Sequence, residues 1–182
     1  FLHFPFLDRK NSHTLQYDAP LLSKLLLLSE YYHFERNVLN GRSLGILGRL
    51  LCKGILFPPN EILGRTYLME GALLNDSFSQ FYFGLFFLDK TFHCNKHALN
   101  IATNFLEKAA NTGSPKHINS LALLYLENPS LPDAIPRGIE LLKMTADQYN
   151  NSDAQAILGC WFYQQQDLSQ SIYYLERSSV PV

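Results

Sequence analysis

Three residues in one short stretch have the chemistry to bind a metal ion. His93, Cys94 and His97 lie within five consecutive positions, and imidazole nitrogen and thiolate sulfur are ligands that zinc accepts. A structural zinc site needs four ligands, and no fourth residue follows at an evident spacing. We therefore expect these side chains to be ordinary loop residues, and we expect no bound metal.

Two histidine–carboxylate pairs could transfer protons, namely His33 with Glu35 and His117 with Asp153. Nothing in their spacing specifies either pair. The sequence also has no phosphate-binding Gly-rich loop, no Gly-x-Ser-x-Gly elbow and no paired-carboxylate motif. We therefore expect no catalytic residue, no cofactor and no enzymatic activity.

The three cysteines, Cys52, Cys94 and Cys160, are too few and too scattered for a disulfide framework. We expect Cys52 and Cys160 to be small apolar residues rather than reactive thiols. This use of cysteine favours a reducing intracellular compartment, either the cytosol or an organelle. Glycosylation sequons at Asn75 and Asn150 leave the secretory pathway as the alternative.

The composition favours a folded chain and argues against nucleic acid as a partner. Of the 182 residues, 47% are apolar, and the formal net charge is −1. Such a chain can bury a core, and its bulk charge does not favour nucleic acid as a partner. Basic residues are concentrated in residues 36–65, which hold five bases and one acid, whereas residues 116–182 hold seven acids and four bases.

The start of the chain gives little information about targeting. The sequence begins with Phe1 rather than Met, so we expect a fragment or a processed product. Residues 21–28 form the most apolar run near the start, but they are too few to cross a bilayer and Lys24 interrupts them. We therefore expect no transmembrane segment in this chain.

Two alternating patterns recur along the chain from about residue 42. In the first, a hydrophobe precedes a small residue, and an aromatic residue or leucine follows three positions later. Its small residues, which we call the key small residues, recur every 36 to 38 positions: Gly48, Gly84, Ala122 and Gly159. The second pattern, Leu-x-x-small-small, is most complete in residues 106–113. A period of this length is typical of an all-α solenoid built from helix pairs.

The repeat phase predicts an A helix and a B helix in each of four repeats. The repeats span about residues 42–76, 77–115, 116–151 and 152–180, behind an N-terminal segment of residues 1–40. In that segment we expect a lead-in and a helix over about residues 21–37 that caps the first repeat. A buried strand is the alternative for residues 81–88, because aromatic residues favour strands. Asp133 is the expected cap of the third B helix.

The repeat resembles a known family. Ala154, Leu158, Gly159 and Phe162 in one helix, and residues 106–113 in another, resemble the Sel1-like repeat, a relative of the tetratricopeptide repeat. The resemblance covers about residues 42–179. It implies a right-handed α-solenoid that acts as a non-enzymatic scaffold or adaptor in the assembly of protein complexes, and it brings no catalytic residues. Thr145, where the family has alanine, is one of the departures.

By analogy with the tetratricopeptide register, the concave face is lined by A-helix residues six and three before each key small residue and one, four and five after it. The principal residues predicted for partner binding on this face are Arg42, Arg49, Lys53, Phe78, Phe81, Leu85, Asn119 and Tyr163. The same register includes Cys52, Leu88, Asp89, Lys116, Leu123, Leu126, Glu127, Asp153, Ala156, Cys160 and Gln164.

These residues predict a groove that is basic at its N-terminal end and aromatic in the middle. Such a groove would bind a peptide segment or a protein surface that carries an acidic group. In the alternative, the N-terminal helix covers the aromatic residues and the basic side chains are solvated.

The last B helix has no polar capping helix after it, and solenoid ends need a cap. We expect either that the chain continues beyond Val182 or that a partner or second copy covers an end interface at Tyr173 and Tyr174. A structural subunit bound through both ends is therefore an alternative function. A regulatory or accessory domain of an enzyme is a further alternative.

Overall fold

A computed structural model gives the structure of residues 40–55, 58–88 and 96–178. Within these ranges the chain forms helices and no strand, so the strand alternative for residues 81–88 is wrong. The helices are α1 (Gly41–Lys53), α2 (Glu61–Leu73), α3 (Ser77–Phe86), α4 (Lys96–Ala110), α5 (Pro115–Glu127), α6 (Ala134–Gln148), α7 (Ser152–Gln164) and α8 (Leu168–Ser178). The expected lead-in and capping helix of residues 1–39 lie outside the described residues.

The helices stack in chain order to form an all-α solenoid. Each helix packs against the next one along the chain, and α1 also packs directly against α3. The helices α1, α3, α5 and α7 are the A helices, and α2, α4, α6 and α8 are the B helices. The face that the A helices expose to solvent is called the A-helix face below.

Side-chain caps explain where several of these helices begin. Asn40, Asn60, Asp76 and Asn151 each accept a hydrogen bond from a backbone N–H in the first turn of the helix that follows. These bonds satisfy donors that have no partner within the helix. The helix starts are therefore determined locally by the sequence.

Asp133 does not cap α6 in the predicted way. Its backbone is left-handed, with φ 51°, and its carboxylate accepts no hydrogen bond from the helix. A residue whose side chain caps a helix usually has an extended backbone, which aims the side chain at the free N–H groups. Asp133 is the N-cap residue of α6, as predicted, but its left-handed backbone leaves its side chain without a capping hydrogen bond.

The key small residues allow the two helices of a repeat to approach each other closely. A Cβ atom on Gly48 would lie 2.6 Å from the carbonyl oxygen of Gly64, which is far below a normal contact. In the third repeat, a Cβ atom on Gly138 would lie 3.0 Å from the carbonyl oxygen of Ala122. The predicted role of the key small residues, close packing of A on B, is confirmed.

Buried polar side chains join each repeat to the next. The amide nitrogen of Gln80 donates to the carbonyl of Ala72 at 3.4 Å, and that of Gln155 donates to Ala146 at 3.3 Å. Each donor lies on an A helix, and each acceptor lies in the small pair that ends the preceding B helix. These bonds link neighbouring repeats, because each gives a buried glutamine amide an acceptor in the preceding repeat.

Candidate functional site

The predicted basic residues of the first A helix lie on one side of α1. Arg42, Arg49 and Lys53 are spaced by seven and four positions, which places them on a single helix face. Arg42 and Lys53 are exposed, whereas Arg49 is half-buried. α1 therefore presents a line of three cations at the N-terminal end of the described solenoid.

The second A helix supplies aromatic rings beneath two of these cations. The guanidinium carbon of Arg42 lies 4.3 Å from the centre of the Phe78 ring, and that of Arg49 lies 4.4 Å from the centre of the Tyr82 ring. The two rings contact each other, with their centres 4.5 Å apart. At these distances the negative face of each ring attracts the cation above it.

Lys116 of the third A helix also contacts Tyr82. Its Nζ donates to the Tyr82 hydroxyl oxygen at 3.2 Å and lies 5.5 Å from the centre of that ring. Three successive A helices therefore contribute to one surface. We call it the basic–aromatic cluster, and its members are Arg42, Arg49, Phe78, Tyr82 and Lys116.

The cations of this cluster lack acidic partners within the described part of the chain. Both ion pairs found there lie elsewhere, Arg137 with Glu107 and Arg177 with Asp147. Neither guanidinium of the cluster donates a hydrogen bond to a described residue, and Nε of Arg49 is buried without an acceptor. Among the described residues, therefore, no ion pair compensates the positive charge of the cluster.

Among the described acids, Asp76 lies in the neighbourhood of the cluster, but its carboxylate already accepts other hydrogen bonds. Asp76 lies near enough to influence the charge on His117, which is next to Lys116. Its carboxylate, however, accepts from the backbone N–H of Ser79 at 2.8 Å and from the Ser79 hydroxyl at 2.7 Å. Asp76 therefore caps α3 instead of pairing with an arginine.

No protein-family model matches this sequence, and no curated protein matches it. Solved structures do match. A Sel1 repeat protein from Oxalobacter formigenes superposes with a TM-score of 0.61 at 16% identity, covering 76% of this chain and 57% of that one. A protective antigen of uropathogenic Escherichia coli strains with an SLR fold gives 0.64 at 16% identity, covering 77% of this chain and 30% of that one. The chain has the Sel1-like repeat fold.

In this Sel1-like solenoid, the residue three positions before the key small residue is not on the exposed A-helix face. Phe81 was predicted to line the groove but is only 2% exposed. Its ring stacks on that of His117 in the next A helix, with centres 4.5 Å apart. Phe81 as a partner-binding residue is therefore wrong, because this position faces the neighbouring A helix and fills the core.

Asn119 has the same position in the third repeat and is buried for the same reason. Its amide nitrogen donates to Asn151 Oδ1 at 2.9 Å, and its carbonyl oxygen accepts from the Thr145 hydroxyl at 2.7 Å. Asn151 caps the next A helix, so its bond to Asn119 links repeats three and four. The prediction that Asn119 binds a partner is also wrong.

Other positions of the predicted register do reach the surface. Tyr163 is 66% exposed, and Leu85 is half-buried against the core. Sequence reasoning missed Tyr82, which comes two positions before Gly84 and outside the assumed register. Its spacing of four residues from Phe78 is the signal that could have placed it on the same helix face.

The predicted end interface is half buried. Tyr174 is only 4% exposed, since its ring stacks on Phe162 of the same repeat with centres 5.8 Å apart. Tyr173 is exposed, and its hydroxyl accepts from Arg177 at 2.8 Å. Tyr174 as an end contact is therefore wrong, because α8 packs it into the last helix pair.

The remaining candidates for chemistry are not brought together. His93 and Cys94 lie outside the described residues, and His97 is exposed in the first turn of α4. Within the described ranges, no group of three or more histidine, cysteine, aspartate or glutamate side chains is arranged to hold a metal ion. Burial raises the pKa of the Cys52 thiol, which favours its unreactive protonated form.

His117 has a structural position rather than a proton-transfer partner. Its Nδ1–H donates to the carbonyl of Ala109 at 3.2 Å, which requires the proton on Nδ1 because a carbonyl can only accept. Among the described residues it forms no hydrogen bond or ion pair with Asp153.

A cleft of about 680 Å³ lies on another side of the solenoid, between α4, α5 and α6. At its edge the Tyr125 hydroxyl donates to Glu107 at 2.6 Å, and Arg137 approaches the same carboxylate at 3.6 Å. Burial and the bond to Glu107 raise the pKa of Tyr125 to about 12, so its hydroxyl stays protonated. These groups satisfy each other and link three helices.

The helices in the described ranges are too short or too polar for any of them to span a bilayer.

Proposed function

We propose that this chain is a protein-interaction module that binds an acidic peptide segment of a partner protein along its A-helix face. The observation that carries the proposal is the set of cations in the basic–aromatic cluster, which form no ion pair with another described residue. Solenoids use such extended faces to bind other proteins. The role is that of a scaffold or adaptor in a larger assembly, without catalysis of its own.

The aromatic rings make the cluster a pre-organised receptor for carboxylates. Arg42 and Arg49 rest on Phe78 and Tyr82, so their planar groups are held in place before a partner arrives. Binding then requires less ordering of flexible side chains. Arginine can donate two parallel hydrogen bonds to one carboxylate, which makes aspartate or glutamate the matching side chain.

The spacing of the two arginines indicates the spacing of the acids. Seven residues of helix separate them, which corresponds to about 10 Å along α1. Two acids three residues apart span about 9 Å on one side of a polyproline II segment. The cluster therefore fits a Glu-x-x-Glu segment in an extended conformation, with Lys116 and Tyr82 beside it.

A binding assay with synthetic peptides tests this proposal. The probes are fluorescent peptides that carry Glu-x-x-Glu among apolar and aromatic residues, each compared with its Gln-x-x-Gln counterpart. We expect the glutamate peptides to bind at least about tenfold more tightly, with an affinity that falls as salt rises. Equal binding of the glutamine peptides would show that the cluster does not recognise acids.

Variants of the protein assign the binding to the cluster. Arg42→Gln and Arg49→Gln should each weaken binding of the glutamate peptides. Lys143→Gln is the matched control, because Lys143 is an exposed base on the B helix α6. If Lys143→Gln weakens binding as much as the arginine variants do, the attraction is nonspecific and the proposal fails.

The second candidate function is a structural subunit that is bound through the end of the solenoid. It is supported by Leu168, Ile172 and Tyr173, which are exposed on the last described helix. In this case a partner would bury α8, and Ile172→Glu would release it while Arg49→Gln would not.

A further inference from the structure

The last repeat contains an arginine that bridges two successive B helices. Arg177 of α8 donates through Nη1 to Oδ1 of Asp147 and to the hydroxyl oxygen of Tyr173, each at 2.8 Å. Through Nη2 it donates to the carbonyl of Ala146, near the C-terminal end of α6, at 3.1 Å. One guanidinium therefore holds three acceptors and joins α6 to α8. We call the place of Arg177 in its helix the bridging position.

The other B helices differ at the bridging position. Three leucines open the second pattern in α4, α6 and α8 and align these helices: Leu106, Leu142 and Leu175. The bridging position comes two residues after each leucine, and it holds Lys108 in α4, Met144 in α6 and Arg177 in α8. A cation therefore occupies this position in α4 and α8, whereas α6 has an apolar side chain there.

Contacts at other equivalent positions show that this alignment is also structural. The Nζ atom of Lys143 lies 5.7 Å from the centre of the Phe162 ring. The equivalent residues one repeat earlier are Glu107 and Tyr125, and the Tyr125 hydroxyl donates to Glu107 at 2.6 Å. The space beside Met144 therefore corresponds to the space that the arginine fills in the last repeat.

The cleft between α4 and α6 keeps the acceptors of the bridging position without its cation. The residues equivalent to those that bind Arg177 are Asn111, Ala110 and Glu140, and all three line this cleft together with Met144. Asn111 and Glu140 are exposed. An ionised carboxylate can only accept hydrogen bonds, and amide and backbone carbonyl oxygens are acceptors too. The cleft, which we call the α4–α6 cleft, therefore offers three acceptors where the last repeat has a bound guanidinium.

The carbonyl of Ala110 also lacks a side-chain donor that its counterparts have. At the other two repeat boundaries a buried glutamine, Gln80 or Gln155, donates to the equivalent carbonyl. The equivalent residue of α5 is Ile118, whose side chain has no donor. Among the described residues, the Ala110 carbonyl accepts only the N–H of Gly113, at 2.9 Å. Carbonyls at the end of a helix carry partial negative charge, so this one favours a cation.

The charged side chains that line the α4–α6 cleft are negative in sum. Glu107 and Glu140 are its acids, and Arg137 is its base. Arg137 lies 3.6 Å from Glu107, which also accepts from Tyr125, so these three groups satisfy one another. Glu140 forms no ion pair with another described residue. Its carboxylate is therefore the charge that a ligand can neutralise.

We propose that the α4–α6 cleft binds an arginine side chain of a partner protein, whose guanidinium takes the place that Arg177 has one repeat later. Arginine is the matching side chain, because its guanidinium carries five N–H donors in a planar fork and accepts no hydrogen bond. The cleft lies between B helices, so the proposal does not depend on acid binding at the A-helix face.

The apolar residues of the cleft indicate what accompanies that arginine. Ile118 and Leu121 line the cleft and are buried, and Leu141 and Met144 line it and are half-buried. Its volume of about 680 Å³ lies in the range of pockets that enclose a drug-sized ligand. An aliphatic side chain next to the arginine therefore enters with it, and we expect leucine beside arginine in the partner segment.

Synthetic peptides test the proposal directly. The probes are short fluorescent peptides with one arginine between leucines, each compared with a citrulline counterpart that has a similar shape but no charge. We expect the arginine peptide to bind the full chain at least about tenfold more tightly than the citrulline peptide. Equal binding of the two peptides, or no binding up to about 1 mM, overturns the proposal. An arginine from another part of this chain as the occupant would give the second of these results.

Variants of the protein assign the binding to the cleft. Glu140→Gln should weaken binding of the arginine peptide at least about fivefold. Glu61→Gln is its control, because Glu61 is an exposed acid of α2. Met144→Arg supplies the cation of the bridging position from the chain itself and should abolish binding. Met69→Arg is the matched control, since it adds the same charge at an exposed methionine of α2.

Circular dichroism shows whether each variant remains folded, and Glu140→Gln decides the question if Met144→Arg does not fold. The proposal is overturned if folded Met144→Arg protein binds the arginine peptide as tightly as the parent does. It is also overturned if Glu140→Gln binds this peptide no more weakly than Glu61→Gln.

Discussion

The Arg49 guanidinium carbon lies 4.4 Å from the centre of the Tyr82 ring. This cation–aromatic contact connects the first A helix to the second. The contact has both a structural and a functional consequence. It holds two repeats together, and it leaves the donors of Arg49 without acceptors in the described part of the chain.

We expect the Arg49–Tyr82 pair to make a measurable contribution to stability. A double-mutant cycle of Arg49→Met and Tyr82→Leu should give a coupling energy of about 0.5–1 kcal/mol, the usual value for a partly exposed cation–aromatic pair. Methionine keeps the apolar stem, so the cycle isolates the charge. Urea denaturation of the four proteins measures the free energies of unfolding, and additive effects would show that the stacking is incidental.

The key small residues should differ in their tolerance of a methyl group. Gly48→Ala should lower the free energy of unfolding by about 1–3 kcal/mol, because its Cβ would lie 2.6 Å from the backbone oxygen of Gly64. Gly84→Ala should stay within about 1 kcal/mol of the parent, because its nearest neighbour is a side-chain atom of Leu106 at 3.0 Å rather than backbone, and alanine favours a helix. Chemical denaturation of both variants tests the order, which would be contradicted if Gly84→Ala were the less stable.

The sequence was sufficient to predict the solenoid because the decisive signals are local. Small residues at a regular period, with Gly54 or Asn60 at the helix boundaries, specify where helices pack and where they end. The structure places Gly54 at φ 63° after α1, a left-handed conformation that suits glycine. Accordingly, the helices in the described ranges fall as one A helix and one B helix in each predicted repeat.

The candidate site was only partly predictable, because it depends on how neighbouring A helices are offset. Phe81 and Asn119 were assigned to a groove by analogy with another repeat, whereas the actual offset turns that position towards the next A helix. The contact of Lys116 with Tyr82 joins residues that are 34 positions apart. No local pattern in either helix specifies this contact.

Restoring the family residue at Thr145 should destabilise this protein. In Thr145→Ala, the buried carbonyl oxygen of Asn119 loses its donor at 2.7 Å, which should cost about 1–3 kcal/mol of unfolding free energy. Thr103→Ala is the matched control, since the Thr103 hydroxyl donates to the carbonyl of Leu99 within its own helix and should change stability little. Thermal and urea denaturation compare the two variants, and equal effects would mean that the Asn119 bond is unimportant.

The stability of the fold should fall in mild acid because of His117. Burial lowers the pKa of His117 below its usual value of 6.5. The positive charges of Lys116 and Arg42 lower this pKa further, whereas the hydrogen bond to Ala109 and the negative charge of Asp76 raise it by less. At a pH between this lowered pKa and about 6.5, the unfolded chain therefore binds more protons at His117 than the folded chain does. The stability that neutral His117 contributes is fully present above about pH 6.5 and is lost as the pH falls through the lowered pKa. His117→Gln cannot be protonated but can still donate to the Ala109 carbonyl, as Gln80 and Gln155 donate to Ala72 and Ala146 in neighbouring repeats. Urea denaturation from about pH 8 to about pH 5 should thus show a steeper loss for the parent than for His117→Gln, and identical pH profiles would contradict the assignment.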